Sequence, residues 1–344
     1  MKTLAKRFLM GVGLGFLGSM IYTKFKESRR YIDFEGNVVV ITGGSRGLGL
    51  LLAKEFAQDG ASIALLARDS EELLRAKNIL QFECPDTLVH TYACDCTINS
   101  QVVDTVSHIL HDFGSIDILI NNAGVISSMP IENATAKDFE ESIDTHFWGP
   151  FHMVEACLPH MTAGSRIVNI SSIGGLIPVP HLAAYCTGKF ALTGYSQSLR
   201  AELMKDGIYV TTVCPNLMRT GSIDHAKFKG QATKEYTIFA ILDSLPLISQ
   251  NAEKSAKEIR EAVRWGKAEL TISLTAKLAH RINVHFPEFF SDIIGLANRF
   301  LPEGTADRET QVEGRSAHTA LAPSVLTRVS EKAARLNNEG EIHH

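Results

Sequence analysis

Positive charge is not in excess in this 344-residue chain: 34 lysines and arginines face 38 aspartates and glutamates, for a net charge of −4. No global basic field is available to meet a phosphate backbone, and no basic stripe with interleaved aromatics appears, so a nucleic-acid partner is not expected. Metal-ligand spacing is missing too. Among Cys84, Cys94, Cys96, Cys157, Cys186 and Cys214 there is one C-x-C pair, Cys94 and Cys96. No second pair completes a zinc site, the histidines show no H-E-x-x-H spacing, and no metal is expected. Most of the cysteines lie in apolar runs and read as small buried side chains in a reducing compartment. An unambiguous membrane span is lacking as well. Phe8 to Tyr22 is uncharged over 15 residues, with Lys2, Lys6 and Arg7 before it and Lys24, Lys26, Arg29 and Arg30 after it. A full span needs about 20 apolar residues. Residues 1–33 are therefore expected to be an N-terminal apolar segment and a membrane anchor, spanning or interfacial. A helix packed on the protein or on a partner subunit, and a secretory signal, are the alternatives, although no small-x-small cleavage site is evident. Basic residues on both flanks leave the orientation open.

What the chain does have is the balance of a globular core, 45% hydrophobic against 21% charged, so disorder is not the default for its bulk. From Asn37 onward short β-branched runs alternate with helix-length segments. Val38–Thr42, Ser62–Ala67, Leu88–Ala93, Ile116–Asn121, Arg166–Ser171 and Ile208–Val213 read as strands buried on both faces. Leu48–Gln58 and Val102–Phe113 carry 3.6-residue apolar spacing. The alternation implies an α/β fold, a doubly wound parallel sheet. Beyond residue 215 it weakens. Ser255–Trp265 reads as an amphipathic helix, and Leu274–Phe300 as a helix-rich apolar stretch broken at Pro287. The expected organisation is a core domain over 34–301 with a helical C-terminal extension and a substrate loop at 216–250. Residues 302–344 are expected to be a polar, largely irregular tail. Asn133-Ala134-Thr135 is a glycosylation sequon, relevant only if the domain faces a lumen.

The first chemistry-bearing segment is Thr42-Gly43-Gly44-Ser45-Arg46-Gly47-Leu48-Gly49, between the first strand and the first helix. Glycines let backbone turn sharply and approach a pyrophosphate, and the helix N-terminus offers free N–H groups and a favourable dipole. Asn121-Asn122-Ala123-Gly124 follows the fourth strand. Tyr185-Cys186-Thr187-Gly188-Lys189 lies thirteen residues after Ser172, and Pro215 and Thr220 follow the sixth strand. In this order and spacing the motifs T-G-x-x-x-G-x-G, N-N-A-G, Ser and Y-x-x-x-K resemble the short-chain dehydrogenase/reductase family over roughly Asn37 to Pro302. Asn216 stands where the family's P-G-x-x-x-T segment has glycine. The later part also looks like bacterial members with an apolar C-terminal extension.

The resemblance implies a Rossmann-like oxidoreductase with Gly43, Ser45, Arg46, Gly47, Leu48, Gly49, Arg68, Asp95, Asn122, Ala123, Gly124, Tyr185, Lys189, Pro215 and Thr220 on the cofactor. Tyr185 and Lys189 are four apart on an expected helix and share a face. A lysine charge nearby should bring the phenol down from a pKa of about 10, so that Tyr185 exchanges protons with an alcohol or carbonyl. By resemblance Lys189 also holds the nicotinamide ribose, and Ser172 orients the substrate oxygen. His146, in His146-Phe147-Trp148-Gly149, occupies the place of a family asparagine whose backbone carbonyl helps hold a water in the proton path. The imidazole could keep that carbonyl, relay protons itself, or mark a slowed enzyme; retained activity is the expectation.

NAD-preferring relatives place an acid at the end of the second strand. Here that place is Ala67, followed by Arg68, with Arg46 on the same side. Two guanidiniums suit a 2′-phosphate, so NADP(H) is expected, with NAD(H) possible. Phe228, Tyr236, Ile238, Phe239 and Leu242 suggest a wall for an apolar carbonyl or secondary alcohol, or equally an ordinary core or an oligomer contact. The resemblance further implies a homo-oligomer, and the apolar segment a membrane-associated protein with its catalytic domain in the cytoplasm. The competing function is a dinucleotide-binding regulatory protein with little or no turnover.

Overall fold

In the computed structural model, residues 30–245, 248–319, 322 and 327–339 are described here. The run 8–22 lies outside them, so the anchor expectation is not addressed by the fold. Among the described residues no helix is long and apolar enough to cross a membrane.

Seven strands form one parallel sheet: β1 Val38–Thr42, β2 Ser62–Ala67, β3 Val89–Ala93, β4 Ile118–Asn121, β5 Arg166–Ile170, β6 Tyr209–Cys214 and β7 Glu269–Thr271. Their spatial order is β3-β2-β1-β4-β5-β6-β7, every neighbour parallel. The order reverses between β1 and β4. That switch point opens a crevice at the carboxyl ends of the strands, where doubly wound sheets bind ligands. The helices are α1 Gly47–Gln58, α2 Ser70–Glu83, α3 Asn99–Phe113, α4 Ala136–Ile143, α5 Gly149–Cys157, α6 Ala183–Leu203, α7 Ala232–Ser244, α8 Ala252–Arg264, α9 Leu274–His285, α10 Pro287–Asn298 and α11 Arg328–Leu336.

The β-branched runs form strands because both faces are covered. Val39 and Ile41 of β1 pack with Leu50 and Phe56 of α1 and Ile259 of α8. Val40, between them, joins Val106 of α3, Met153 of α5 and Leu203 of α6 on the opposite face. Period-2 alternation thus feeds two cores from one uninterrupted apolar run. All six expected strands form, with ends within two residues. The seventh, β7, was not foreseen, since three residues at a sheet edge carry too little pattern. The helix-rich stretch does break at Pro287, the first residue of α10.

The described residues between 302 and 339 depart from the expected irregular tail. Val312–Glu313 pair antiparallel with Lys227–Phe228, which pair in parallel with Ser127–Ser128. Helix α11 packs on α7. Asn133 is wholly buried and clamps the segment: Oδ1 accepts from the Thr305 N–H, while Nδ2 donates to the carbonyls of Thr305 and Asp307, at 3.0, 3.0 and 2.5 Å. Its amide is consumed by the fold, so the sequon is not a glycan acceptor in the folded domain. Sequence pattern missed this because the segment docks through side-chain amides, backbone pairing and small apolar residues such as Ala317 and Ala322, which leave little hydrophobic pattern.

Asn133→Ala strands these backbone groups and is expected to lower stability by about 1–3 kcal/mol. Urea unfolding checks it: the midpoint should fall with the slope preserved, and an unmoved midpoint would refute the clamp.

Candidate active site

β1 ends in Thr42, whose buried hydroxyl accepts the N–H groups of Asn122 (3.0 Å) and Ala123 (3.1 Å). In return, Asn122 Nδ2 donates to the carbonyls of Thr42 (3.1 Å) and Gly43 (3.0 Å). The two motifs at the switch point are therefore one stitched unit. Gly43 takes φ +61°, and a Cβ there would meet Ala123 Cα at 2.9 Å, so only glycine fits. At the start of α2, Glu72 accepts from Ser45 Oγ (3.0 Å) and Arg46 Nη1 (2.8 Å). Arg68 is exposed at the end of β2.

β5 delivers Ser171 and Ser172 to the same edge. Ser172 Oγ accepts the Gly174 N–H at 3.1 Å and caps a short 3₁₀ turn, Ile173–Gly175. That turn packs on α6, where Gly174 lies against the Tyr185 ring. Lys189, one turn on, is 4% exposed, and its Nζ donates to the Ile170 carbonyl at 2.9 Å. The same Nζ stands 5.8 Å from the centre of the Tyr185 ring. Between α4 and α5 the chain widens into one π turn, Asp144–Trp148, a distortion common at functional sites. It presents His146 edge-on to Tyr185 with ring centres 5.2 Å apart. Gly188 makes this possible: a Cβ there would strike the Ser142 carbonyl and hydroxyl, both at 2.7 Å.

Electrostatics follow from burial. Removal from water lowers the Lys189 amine to about 7. It raises the Tyr185 phenol to about 12, against a hydrogen bond from Ser172 that acts in the opposite direction. Both groups are thus pushed toward neutrality. The expected lowering of the phenol by its lysine is not achieved by the chain alone, because desolvation outweighs a charge that the same burial discourages. His146 is 1% exposed and falls well below its ordinary value, first through burial and then through the Lys189 charge. Its Nδ1 lies 3.2 Å from Ser142 Oγ, while Nε2 makes no hydrogen bond among the described residues. It faces the space beside Gly124, where a Cβ would stand 3.1 Å from Nε2 and 3.6 Å from Lys189 Nζ.

Ser172, Tyr185, Lys189, His146 and Gly124 therefore converge. The Pro215 carbonyl accepts from Ile173 N–H (2.8 Å) and holds the turn behind Ser172. Asp95 Oδ1 accepts from Thr97 N–H and Oγ, at 3.0 and 2.7 Å, which ties its own loop. Thr220 is buried beneath the C-terminal segment, and Arg46 is shared among Glu72, His225 and Glu339. Phe228 and Tyr236, at 0% and 3% exposure, form the core of the 216–250 lobe rather than a wall of the site. The segment after Ser172 packs through Ile173, Leu176, Ile177 and Val179 into a separate buried cluster with Ile282, Phe290 and Ile294 of α9 and α10. Sequence reasoning also missed Glu339, Asn337 and Asn338, which lie on the glycine turn itself; a polar run about 290 residues away carries no signal of that.

The sequence profile of the short chain dehydrogenase family matches residues 37–229. The chain belongs to the short-chain dehydrogenase/reductase family. It is 29% identical to short-chain dehydrogenase/reductase family 16C member 6 of Bos taurus, over 87% of this chain and 94% of that one. It is 34% identical to epidermal retinol dehydrogenase 2 of Mus musculus, over 67% and 74%. With the putative oxidoreductase SadH of Mycobacterium tuberculosis the identity is 32%, over 71% and 89%. A crystal structure of L-sorbose reductase from Gluconobacter frateurii with NADPH and L-sorbose superposes with TM-score 0.63 at 26% identity, covering 70% and 97%. NAD+-bound xylitol dehydrogenase does so with TM-score 0.60 at 25% identity, covering 70% and 99%. Short-chain dehydrogenases/reductases act on CH–OH and C=O groups with a nicotinamide cofactor, so this chain is an oxidoreductase of that class.

His146→Asn removes the ring but keeps the backbone carbonyl of the π turn. Turnover is expected to be preserved within about threefold or raised, since only a relay through the imidazole would be lost. Steady-state kinetics decide; a loss beyond a hundredfold would make the imidazole essential.

Proposed function

We propose that the protein is an NADP(H)-dependent oxidoreductase that interconverts an apolar carbonyl compound and its secondary alcohol, with Tyr185 as general acid/base. The observation that carries this reading is the convergence of Ser172, Tyr185, Lys189 and His146 at the carboxyl edge of the sheet, beside the stitched glycine turn. The turn fits a dinucleotide: a Cβ on Gly47, at φ +55°, would collide with the Glu339 carboxylate, so the cradle admits an anion where a side chain would stand. Bound there, the nicotinamide supplies the hydride.

The chain's residues supply the rest. Ser172 is placed to hold the substrate oxygen by its hydroxyl. Tyr185 gives that oxygen a proton in reduction and takes one in oxidation. Burial keeps the phenol of the free chain protonated, so the form present before cofactor binds is the proton donor. Lys189, whose Nζ stands behind the Tyr185 ring, would hold the ribose of a bound cofactor and, when charged, would draw the phenol's pKa down. His146, kept neutral by burial, has an Nε2 that can pass a proton between Lys189 and the space beside Gly124. Their assembly supports turnover over the binding-only alternative.

The cofactor preference rests on Arg46 and Arg68 and on Ala67 where NAD-preferring relatives have an acid. Asp69 does not replace that acid, because its Oδ1 caps α2 by accepting from Glu71 and Glu72 N–H at 2.8 and 2.9 Å. Glu72 pairs with Arg46 and works against a 2′-phosphate, which leaves Arg68 as the main discriminator. The likeness to the retinol dehydrogenase supports an apolar substrate.

The test is oxidation of NADPH and of NADH with a panel of retinoid, steroid and medium-chain aldehydes and ketones. Activity is expected with NADPH first, and Tyr185→Phe should lower kcat by at least about a hundredfold. Arg68→Ala should raise the KM for NADPH and leave that for NADH unchanged. Equal use of both cofactors would overturn the preference, and full activity in Tyr185→Phe would overturn the role of the phenol.

A further inference from the structure

Helix α11 ends against the dinucleotide crevice rather than in solvent. The Gly47 N–H, first in α1 and part of the anion-binding end of that helix, donates to the Asn337 carbonyl at 2.8 Å. Asn337 Nδ2 donates to the Thr220 carbonyl at 3.2 Å. Asn338, in the left-handed region at φ 59°, donates through Nδ2 to the Ser45 carbonyl at 2.8 Å and the Glu72 carbonyl at 3.3 Å. Its Oδ1 accepts from Arg75 Nε at 3.3 Å. These contacts turn Glu339 inward. Its carboxylate is 3% exposed, 3.3 Å from Arg46 Nε and 3.5 Å from His225 Nε2, directly against Gly47. A carboxyl group thus stands at the helix N-terminus, between the glycine turn and Thr220, where the bound dinucleotide would place its pyrophosphate.

The seat is imperfect for a carboxylate. Glu339 Oε2 makes no hydrogen bond among the described residues. Burying a carboxylate with incomplete partners is costly, and burial raises this one to about 8. A ligand with more oxygens and a fixed pyrophosphate geometry would use the same donors more fully. The segment is held strongly enough to occupy the cradle and weakly enough to be displaced.

We propose that residues 337–339 are an internal competitor of the dinucleotide: the free protein seats Glu339 in the pyrophosphate cradle, and the cofactor binds only as this segment withdraws. This rests on the reading of the glycine turn as the dinucleotide site. The apparent affinity for cofactor is then reduced by the fraction of molecules whose cradle is open, and anything that draws α11 away activates the protein.

The experiment compares three proteins, each first checked for an unchanged thermal midpoint: the full chain, a chain ending at Leu336, and Glu339→Ala. NADPH is titrated by its fluorescence on binding. If the docked state holds nine molecules in ten, the truncated chain should bind about tenfold more tightly, and Glu339→Ala should move in the same direction. The KM for NADPH should fall in parallel while kcat at saturating cofactor stays constant. Equal Kd values in all three proteins would overturn the proposal. Weaker binding in the truncated chain would overturn it as well, by making the segment a clasp over bound cofactor. Failure of every form to bind NADPH or NADH would instead bring down the dinucleotide reading beneath it.

Discussion

The Lys189 amine sits 4% exposed under the carboxyl edge of the sheet, donating to the Ile170 carbonyl, and the cost of charging it there governs the rest of the site. The same dry surroundings hold the Tyr185 phenol near 12 and His146 neutral. The amine, which would be charged in water, is thus held close to neutrality beside a phenol and an imidazole that burial keeps uncharged. Of the three, only the phenol keeps its proton; the amine and the imidazole are biased toward their deprotonated forms. An opposing charge that arrives with a ligand shifts all three together, because each feels the others through a medium of low dielectric.

That cluster exists only because backbone is packed unusually close around it. Gly188 lets α6 lie against Ser142 and the π turn, and Gly174 lets the turn after Ser172 rest on the Tyr185 ring. The crevice next to it is built on the same principle, with Asn122 tying the glycine turn to the end of β4. The sheet whose two faces carry the buried cores ends at this edge, so the site is built on the ends of fully covered strands. The C-terminal segment differs in kind. It reaches the crevice through side-chain amides and one poorly satisfied carboxylate, which suits a contact that forms and releases.

Much of this was legible in the residues. Val38–Thr42 and its counterparts announced a parallel sheet because strands covered on both faces must be apolar throughout. The motif spacing located Ser172, Tyr185 and Lys189, because one helical turn and one strand end convert sequence separation into proximity. What was not legible depends on distance along the chain or on the balance of opposing terms. Nothing in a polar run from Pro302 onward foretells that Asn338 will meet Ser45. Phe228 and Tyr236 could be read equally as pocket wall or as core, since apolar composition does not say which way a side chain faces; they are the core of their own lobe. The lowered phenol was inferred from a neighbouring charge, but the depth of burial that reverses it appears only in three dimensions.

The central claim is that Lys189 is neutral in the free protein above pH 7 and recharges beside an anionic cofactor. Calorimetric titration with NADPH at pH 8.5, in buffers of different ionisation enthalpy, measures the protons taken up on binding. Uptake approaching one proton per cofactor, abolished in Lys189→Met, is the result the account requires. Binding with no dependence on buffer would mean that the amine was charged from the start, and the account of a desolvated, uncharged site would be wrong.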